Sequence, residues 1–367
     1  MVEKIKTNPA MKSTYVIAEA GVNHNGSLDR ALELVDVAVE AGADAVKFQT
    51  FKADRLVSSS AQKASYQKEA TDEEQSQFDM LRELELSYEH HTEIVEYSEE
   101  RGIQFLSTPY DVQSLQFLVE EFAIPYIKVP SAEITNGPLL WHVAQVRTPV
   151  ILSTGMSTMG EIEDALSVLA FGYLEERSPS SLHECKQVYA SDEAQEQLER
   201  HVQLLHCTSE YPAPVEAVNL RAMDALRDSF KLSVGYSDHT EGIEVPIAAV
   251  ARGAEVVEKH FTLSRDLPGP DHHASLEPNE LVAMVRSVRN VEKALGEARK
   301  HPVAAEWDNR KAMRRSLVAK KSIAEREEIT EGDLDIKRPG TGLSPIHYWD
   351  TVGTTANKSY KPGETIQ

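Results

Sequence analysis

Eight times along this chain a short, β-rich apolar run gives way to an amphipathic helical stretch, and this alternation limits the possible folds more than any other feature. The runs TYVIAEAG (14–21), DAVKFQT (44–50), IQFLSTP (103–109), YIKVPSAE (126–133), PVILSTGM (149–156), VQLLHCTSE (202–210), KLSVGYSDH (231–239) and VVEKHFT (256–262) read as strands. Helical patterns follow at 28–43, 90–102, 112–123, 138–146, 161–171, 220–230, 242–254 and 278–295, the first with Ser27 as N-cap and a stop near Gly42. Strands joined through helices pair in parallel, and eight such units close into a (β/α)8 TIM barrel of the α/β class. An open doubly wound sheet would normally carry a GxGxxG turn after its first strand, where this chain has AGVNHNGS.

The rhythm breaks twice. Residues 172–201 form a polar insertion, read as a mobile surface excursion. Beyond Gly296 the pattern turns to short β-like runs (SLVAKK, LDIKRPG) without a long helix. The division expected is a barrel over 1–298, a linker over 299–313 and a small β-rich domain over 314–367.

Composition narrows the partners. The formal charge of −21 argues against nucleic acid or an anionic membrane surface, since both select a basic footprint. Two cysteines, Cys185 and Cys207, read as reduced thiols rather than a disulfide framework. The first eleven residues hold no apolar leader and no apolar run approaches membrane-spanning length, so a cytoplasmic protein is expected. The acid is concentrated: residues 69–100 hold twelve acidic side chains and one basic, residues 161–201 ten and three. From Trp307 onward basic residues are in slight excess, eleven to nine.

Every expected strand starts apolar and ends polar. The ends carry Glu19; Lys47 and Gln49; Ser107 and Thr108; Lys128, Ser131 and Glu133; Ser153 and Thr154; Thr208, Ser209 and Glu210; Ser237, Asp238 and His239; Glu258 and His260. Barrel enzymes build their sites at that mouth, and residues two apart on a strand share one face, as Lys47 does with Gln49 and Glu258 with His260. Lys47, Lys128, Thr108, Ser131, Ser153 and Ser237 suit a phosphate or carboxylate, with ammonium charge and directional hydroxyls. His239 and His260, on adjacent strands, could share a divalent ion such as Mn²⁺, with Asp238 or Glu258 as supporting or third ligand. On spacing alone, two histidines in satisfied core hydrogen bonds are the commoner arrangement. The loop DLPGPDHHASLEP (266–278), stiffened by proline and glycine, presents Asp271 to a substrate or forms a surface turn.

In these motifs the chain resembles the sialic acid synthases, the family of N-acetylneuraminate and N,N′-diacetyllegionaminate synthases. IAEAGVNHNG, AVKFQTF, FLSTPYD, IKVPSAEI, ILSTGM, LLHCTSEYPAP, GYSDHT, EKHFTL and GPDHHASLEP carry the likeness in order, and KRPGTGLSP resembles the antifreeze-like SAF domain those enzymes append. The resemblance implies condensation of phosphoenolpyruvate with N-acetylmannosamine, or alternatively with a 2,4-diacetamido-2,4,6-trideoxymannose to give legionaminate, with release of phosphate. It implies phosphoenolpyruvate contacts at Lys47, Thr108, Lys128, Ser131, Ser153, Ser209 and Ser237, where Ser209 stands in place of a family Asn. His239 and His260 match ligands of a divalent metal, Mn²⁺ first and Mg²⁺ or Co²⁺ as substitutes. Glu19, Glu133 and Asp271 match positions near the reacting atoms, and Gln49, Tyr211, Asp271 and Arg338 match sugar contacts. Arg338 would reach the site of a second subunit, which implies a domain-swapped homodimer. The segment before QFDML offers Asp72, Glu73 and Glu74 but not the Asn some members place at the sugar. Two rivals share these residues: a class I aldolase with Lys128 as Schiff base, and a non-catalytic carbohydrate-binding protein.

Overall fold

A computed structural model describes residues 13–58, 61–64, 67–68, 71 and 75–367; the first eleven residues and Asp72, Glu73 and Glu74 lie outside the described residues. The chain divides into two compact units, Met1–Gly296 and Glu297–Gln367.

The first unit is the barrel. Its strands are β1 (Tyr15–Gly21), β2 (Ala45–Thr50), β3 (Gln104–Pro109), β4 (Ile127–Val129), β5 (Val150–Ser153), β6 (Val202–Cys207), β7 (Ser233–Asp238) and β8 (Val256–His260). All pair in parallel in the order β3-β2-β1-β8-β7-β6-β5-β4, and the end strands β3 and β4 lie side by side, so the sheet is nearly closed. The registers bring Glu19 level with Lys47 on one side and His260 on the other.

Strand alternation assigns the two faces. Outward residues such as Val16, Ala18, Val46, Phe48, Leu152, Leu204 and Val257 belong to the large core shared with the helices. Inward ones, Ile17, Ala45, Leu106, Ile151, Leu205 and Val256, pack as a separate plug across the barrel. Gly235 belongs to that layer: a Cβ there would stand 2.4 Å from the Val256 carbonyl oxygen and 2.7 Å from Leu205 Cδ2, so only glycine lets the strands approach. Two residues further along each strand the inward positions turn polar, and the floor of the site begins.

Helix ends follow local chemistry. Helix α1 (Leu28–Ala41) is capped by the Ser27 side chain, which accepts from Arg30 N–H, and Gly42 closes it at φ 75°. Strand β4 is shorter than 126–133 because Pro130 has no N–H to extend the ladder, and Ser131–Glu133 turns into a 3-10 helix. The expected strands at 149–156 and 202–210 also stop early, leaving their polar ends in loops.

The insertion is not a loose excursion. The preceding helix runs over Met159–Leu174, and the segment adds two helices, Leu182–Tyr189 and Asp192–His201, capped by Ser181 and Ser191. Cys185, Ala194 and Leu198 are buried and join the main core. Gln145 Nε2 ties the start of the segment down, donating to the carbonyls of Gly172 at 2.6 Å and Glu175 at 2.8 Å. Three buried side chains suffice to seat it, and its many carboxylates mask them in composition.

In the second unit, residues 299–313 are not a bare linker: they hold the turn Ala304–Glu306 and the helix Trp307–Met313. Strands β9 (Ser316–Ala319) and β10 (Leu334–Lys337) pair antiparallel. Leu317, Ile323, Ile329, Leu334, Tyr360 and Ile366 fill a small core of their own. Among the described residues no helix is long and apolar enough to cross a membrane.

Candidate active site

Where the inward positions turn polar, the barrel opens into a cavity of about 530 Å³. Glu19, Lys47, Gln49, Thr108, Lys128, Ser131, Glu133, Ser153, Ser209, Tyr211, Ser237, His239, His260 and Asp271 all line it. Arg338 stands elsewhere, exposed after β10 in the second unit.

The floor is a buried charge network. Lys47 Nζ lies 2.6 Å from Glu19 Oε2 and 3.6 Å from Glu258 Oε2, and donates to Thr108 Oγ1 at 3.1 Å. Lys128 Nζ donates to Ser153 Oγ at 2.7 Å and stands 3.6 Å from Glu258 Oε1, which also accepts from Ser237 Oγ at 2.8 Å. Glu258 therefore bridges the two lysines, a role the sequence suggested only as support for a metal.

Burial acts on each group, and the neighbours decide the outcome. Desolvation pulls the Lys128 ammonium down despite Glu258, whereas at Lys47 two carboxylates outweigh desolvation and hold it above the usual lysine value. Burial lifts Glu19 to about 7 against the pull of Lys47, and lifts Asp271 to about 6. Glu258 is desolvated as well, but Lys128 and Lys47 keep it below the usual carboxylate range.

The two histidines stand on adjacent strands with ring centroids 5.5 Å apart, and Tyr211 lies 4.1 Å from the His239 ring. Burial depresses both imidazoles, and at His260 the neighbouring His239 lowers it further, so both favour the neutral form. His239 Nδ1 lies 2.6 Å from the Thr208 carbonyl; a carbonyl only accepts, so the proton is on Nδ1 and the Nε2 lone pair is free. His260 Nδ1 is buried without a hydrogen-bond partner, and Asp271 Oδ2 stands 4.0 Å away. The reading of two satisfied core histidines thus fails at His260. Among the described residues no group of three or more His, Cys, Asp or Glu side chains gathers as a metal shell. Two neutral imidazoles, one with an orphaned nitrogen, fit a divalent ion that takes its other ligands from water and substrate.

Some strand-end residues serve elsewhere. Asp238 pairs with Lys259 at 2.6 Å, both fully buried, and binds Thr240, so it is no third ligand. Ser107 meets Thr50 at 2.7 Å, and Thr50 meets His91 at 2.9 Å, outside the cavity lining. Thr154 donates to the Leu205 carbonyl. Glu133 Oε2 accepts from Asn136 Nδ2 at 2.6 Å, and Ser131 Oγ accepts from the Gly155 N–H at 2.9 Å and lies 3.2 Å from Cys207 Sγ. Cys185 and Cys207 are both free and buried. Sequence reasoning passed over Cys207 and Tyr110, whose hydroxyl donates to Gln49 Oε1 at 3.4 Å; Cys207 is the last residue of β6, and Tyr110 follows directly after β3, two positions beyond Thr108.

The Asp271 loop is fastened to the loop after β1. Asn25 Nδ2 donates to the Pro268 carbonyl at 2.7 Å, Asn25 Oδ1 meets His272 Nε2 at 3.1 Å, and Ser275 Oγ donates to the Asp271 carbonyl at 2.6 Å.

Residues 34–300 match the NeuB family and residues 314–367 the SAF domain. The chain is 46% identical over 357 residues to N,N′-diacetyllegionaminic acid synthase of Campylobacter jejuni subsp. jejuni serotype O:2, covering 97% of this chain and 100% of that protein. It is 43% identical over 362 residues to the enzyme of the same name from Legionella pneumophila subsp. pneumophila, covering 99% and 96%. The crystal structure of N-acetylneuraminic acid (sialic acid) synthetase from Leptospira borgpetersenii serovar Hardjo-bovis, in complex with citrate, superposes with a TM-score of 0.66 at 33% identity, covering 81% and 90%. With that match spanning the barrel and its strand-end motifs, the chain belongs to the NeuB family and ends in a SAF domain.

Proposed function

We propose that this enzyme joins phosphoenolpyruvate to 2,4-diacetamido-2,4,6-trideoxymannose and water, giving N,N′-diacetyllegionaminate and phosphate. As a NeuB-family member it is a phosphoenolpyruvate-condensing synthase. Of the two sugars expected from sequence, the likeness to two legionaminic acid synthases favours this one over N-acetylmannosamine. The observation that carries the reaction is the juxtaposition of two buried lysines, ringed by hydroxyls, with two neutral imidazoles across one cavity.

Phosphoenolpyruvate sits between Lys47 and Lys128, its oxyanions bonded by Thr108, Ser131, Ser153, Ser209 and Ser237. An anion arriving beside desolvated Lys128 supplies the counter-charge that water no longer does, and favours its ammonium form. His239 and His260 would hold a divalent ion, Mn²⁺ first, whose chemistry is Lewis-acid polarisation of the open-chain aldehyde oxygen. Gln49, Tyr211 and Asp271 orient the sugar so that its C1 faces the enol carbon, with Glu19 beside the reacting atoms. The C3–C1 bond forms and leaves positive charge at C2 of the former enol. Water adds at C2 and gives its proton to Glu133, whose other oxygen Asn136 fixes. The C2–O bond to phosphate then breaks, phosphate leaving with the electron pair and the proton of the C2 hydroxyl as the C2 carbonyl forms, while the former aldehyde oxygen takes up the proton held on Glu133. Arg338 completes the reading as a sugar contact delivered into a second copy of the chain, in a domain-swapped homodimer.

The test is incubation with phosphoenolpyruvate, Mn²⁺ and each sugar in turn, following phosphate release and product mass. Legionaminate formation, lost in EDTA and restored by Mn²⁺, is expected. Metal-independent turnover with borohydride trapping of pyruvate on Lys128 would establish the aldolase instead.

A further inference from the structure

The cavity is chemically divided. Its floor is the network of Lys47, Lys128, Glu19 and Glu258, but one flank is apolar: Val22 from the loop after β1, Leu56 from the short helix Ala53–Leu56, and Met80, Leu81 and Leu84 from the helix Gln77–Glu83 and its end. Val22, Met80 and Leu84 are buried with Phe51 in a cluster separate from both barrel cores, and Leu56, Leu81 and Tyr110 pack against it. A separate apolar cluster at the mouth of a charged site shapes the cavity rather than the barrel. Of the two amides that border this flank, Gln77 Nε2 donates to Gln67 Oε1 at 3.3 Å, and that oxygen also accepts from Ala64 N–H at 3.0 Å.

Position relates this flank to the substrate. The aldehyde end of the sugar belongs beside His239 and His260, at the ends of β7 and β8. From there the sugar chain extends over β1 and β2, past Gln49 and Tyr110, toward residues that follow those two strands. In that proposed placement its far carbon is directed toward Leu56 and Leu81, which line the same cavity.

We infer that Leu56 and Leu81 are specificity-determining residues, and that this flank selects a sugar ending in a methyl group at C6 over one ending in a hydroxymethyl. The inference rests on the synthase reading above. A methyl group gains by leaving water against leucine side chains, whereas a hydroxyl set against them gives up water for groups that offer no hydrogen bond. Apolar pockets reject an added hydroxyl only moderately, so a preference of about 10- to 100-fold in kcat/KM is expected.

The experiment compares 2,4-diacetamido-2,4,6-trideoxymannose with the same sugar bearing a 6-hydroxyl, in the wild type and in Leu81→Gln and Leu56→Gln. Both leucines are half-buried, and the KM for phosphoenolpyruvate reports whether the floor is intact. The wild type should favour the 6-deoxy sugar, and either variant should lower the ratio at least fivefold with an unchanged phosphoenolpyruvate KM. Should one glutamine variant fail to fold, the other, together with Leu81→Ala, carries the comparison. A wild type without preference, or ratios unmoved in the folded variants, overturns the inference. If the wild type consumes neither sugar, it is the synthase reading that fails.

Discussion

At the scale of single residues, the site depends on how burial is divided among a few charges. Lys128 has fewer carboxylates close to it than Lys47, so desolvation prevails at one and attraction at the other. Removing the less supported cation tests this division. Lys128→Met should weaken phosphoenolpyruvate binding about 100-fold, the scale of about 3 kcal/mol for breaking a buried pair, read by calorimetric titration of the folded variant. An affinity within threefold of wild type would place the anion elsewhere. Asp271 gives a pH test. Its carboxyl is lifted to about 6 by burial, so its stabilising contribution is complete below the unfolded value of 3.8 and disappears as pH rises through about 6. Asparagine cannot ionise. In metal-free protein, urea unfolding of Asp271→Asn relative to wild type should therefore improve between pH 4.5 and 7, by about 2 kcal/mol; a flat difference would contradict the assignment.

At the scale of elements, what the sequence disclosed depended on periodicity. The eight strands and the flanking helices were legible because apolar spacing of two and of three to four residues is imposed by burial. The last barrel helix, Pro278–Leu295, starts and stops where its sequence signals lie. The insertion was misread because its apolar spacing is carried by few residues: Cys185, Ala194 and Leu198 do the burying amid a crowd of carboxylates. Leu198→Ala should accordingly destabilise the barrel unit by about 2–5 kcal/mol, measured by chemical unfolding. A loss below about 0.5 kcal/mol would return the segment to the surface. Strand ends were legible for a related reason: inward positions cannot turn polar at successive strands without a common cavity. The partnerships across them were not. Nothing in the spacing says that Glu258 bridges two lysines while Asp238, on the opposite face of the neighbouring strand, is spent on Lys259. The apolar flank was equally hidden, since Leu56 and Leu81 read locally as ordinary helix positions.

At the scale of the molecule, a chain of net charge −21 sets two of its 38 basic residues, Lys47 and Lys128, on one internal floor, while residues 69–100 and 161–201 together carry −18 of that net charge. The second unit adds Arg338, exposed on the loop after β10, and its proposed reach into another copy has a clear kinetic signature. Arg338→Ala should raise the KM for the sugar at least tenfold, leave phosphoenolpyruvate affinity unchanged, and recover activity when mixed with a protomer defective only in its barrel. No recovery in such mixtures would confine each site to a single chain. Over all of this stands the claim that the barrel mouth forms a carbon–carbon bond from phosphoenolpyruvate and breaks its C–O bond. Turnover of phosphoenolpyruvate carrying ¹⁸O in the bridging position addresses it most directly. The account predicts that the label leaves entirely in inorganic phosphate; label retained at C2 of the sugar acid, or no phosphate released with either sugar, would contradict it.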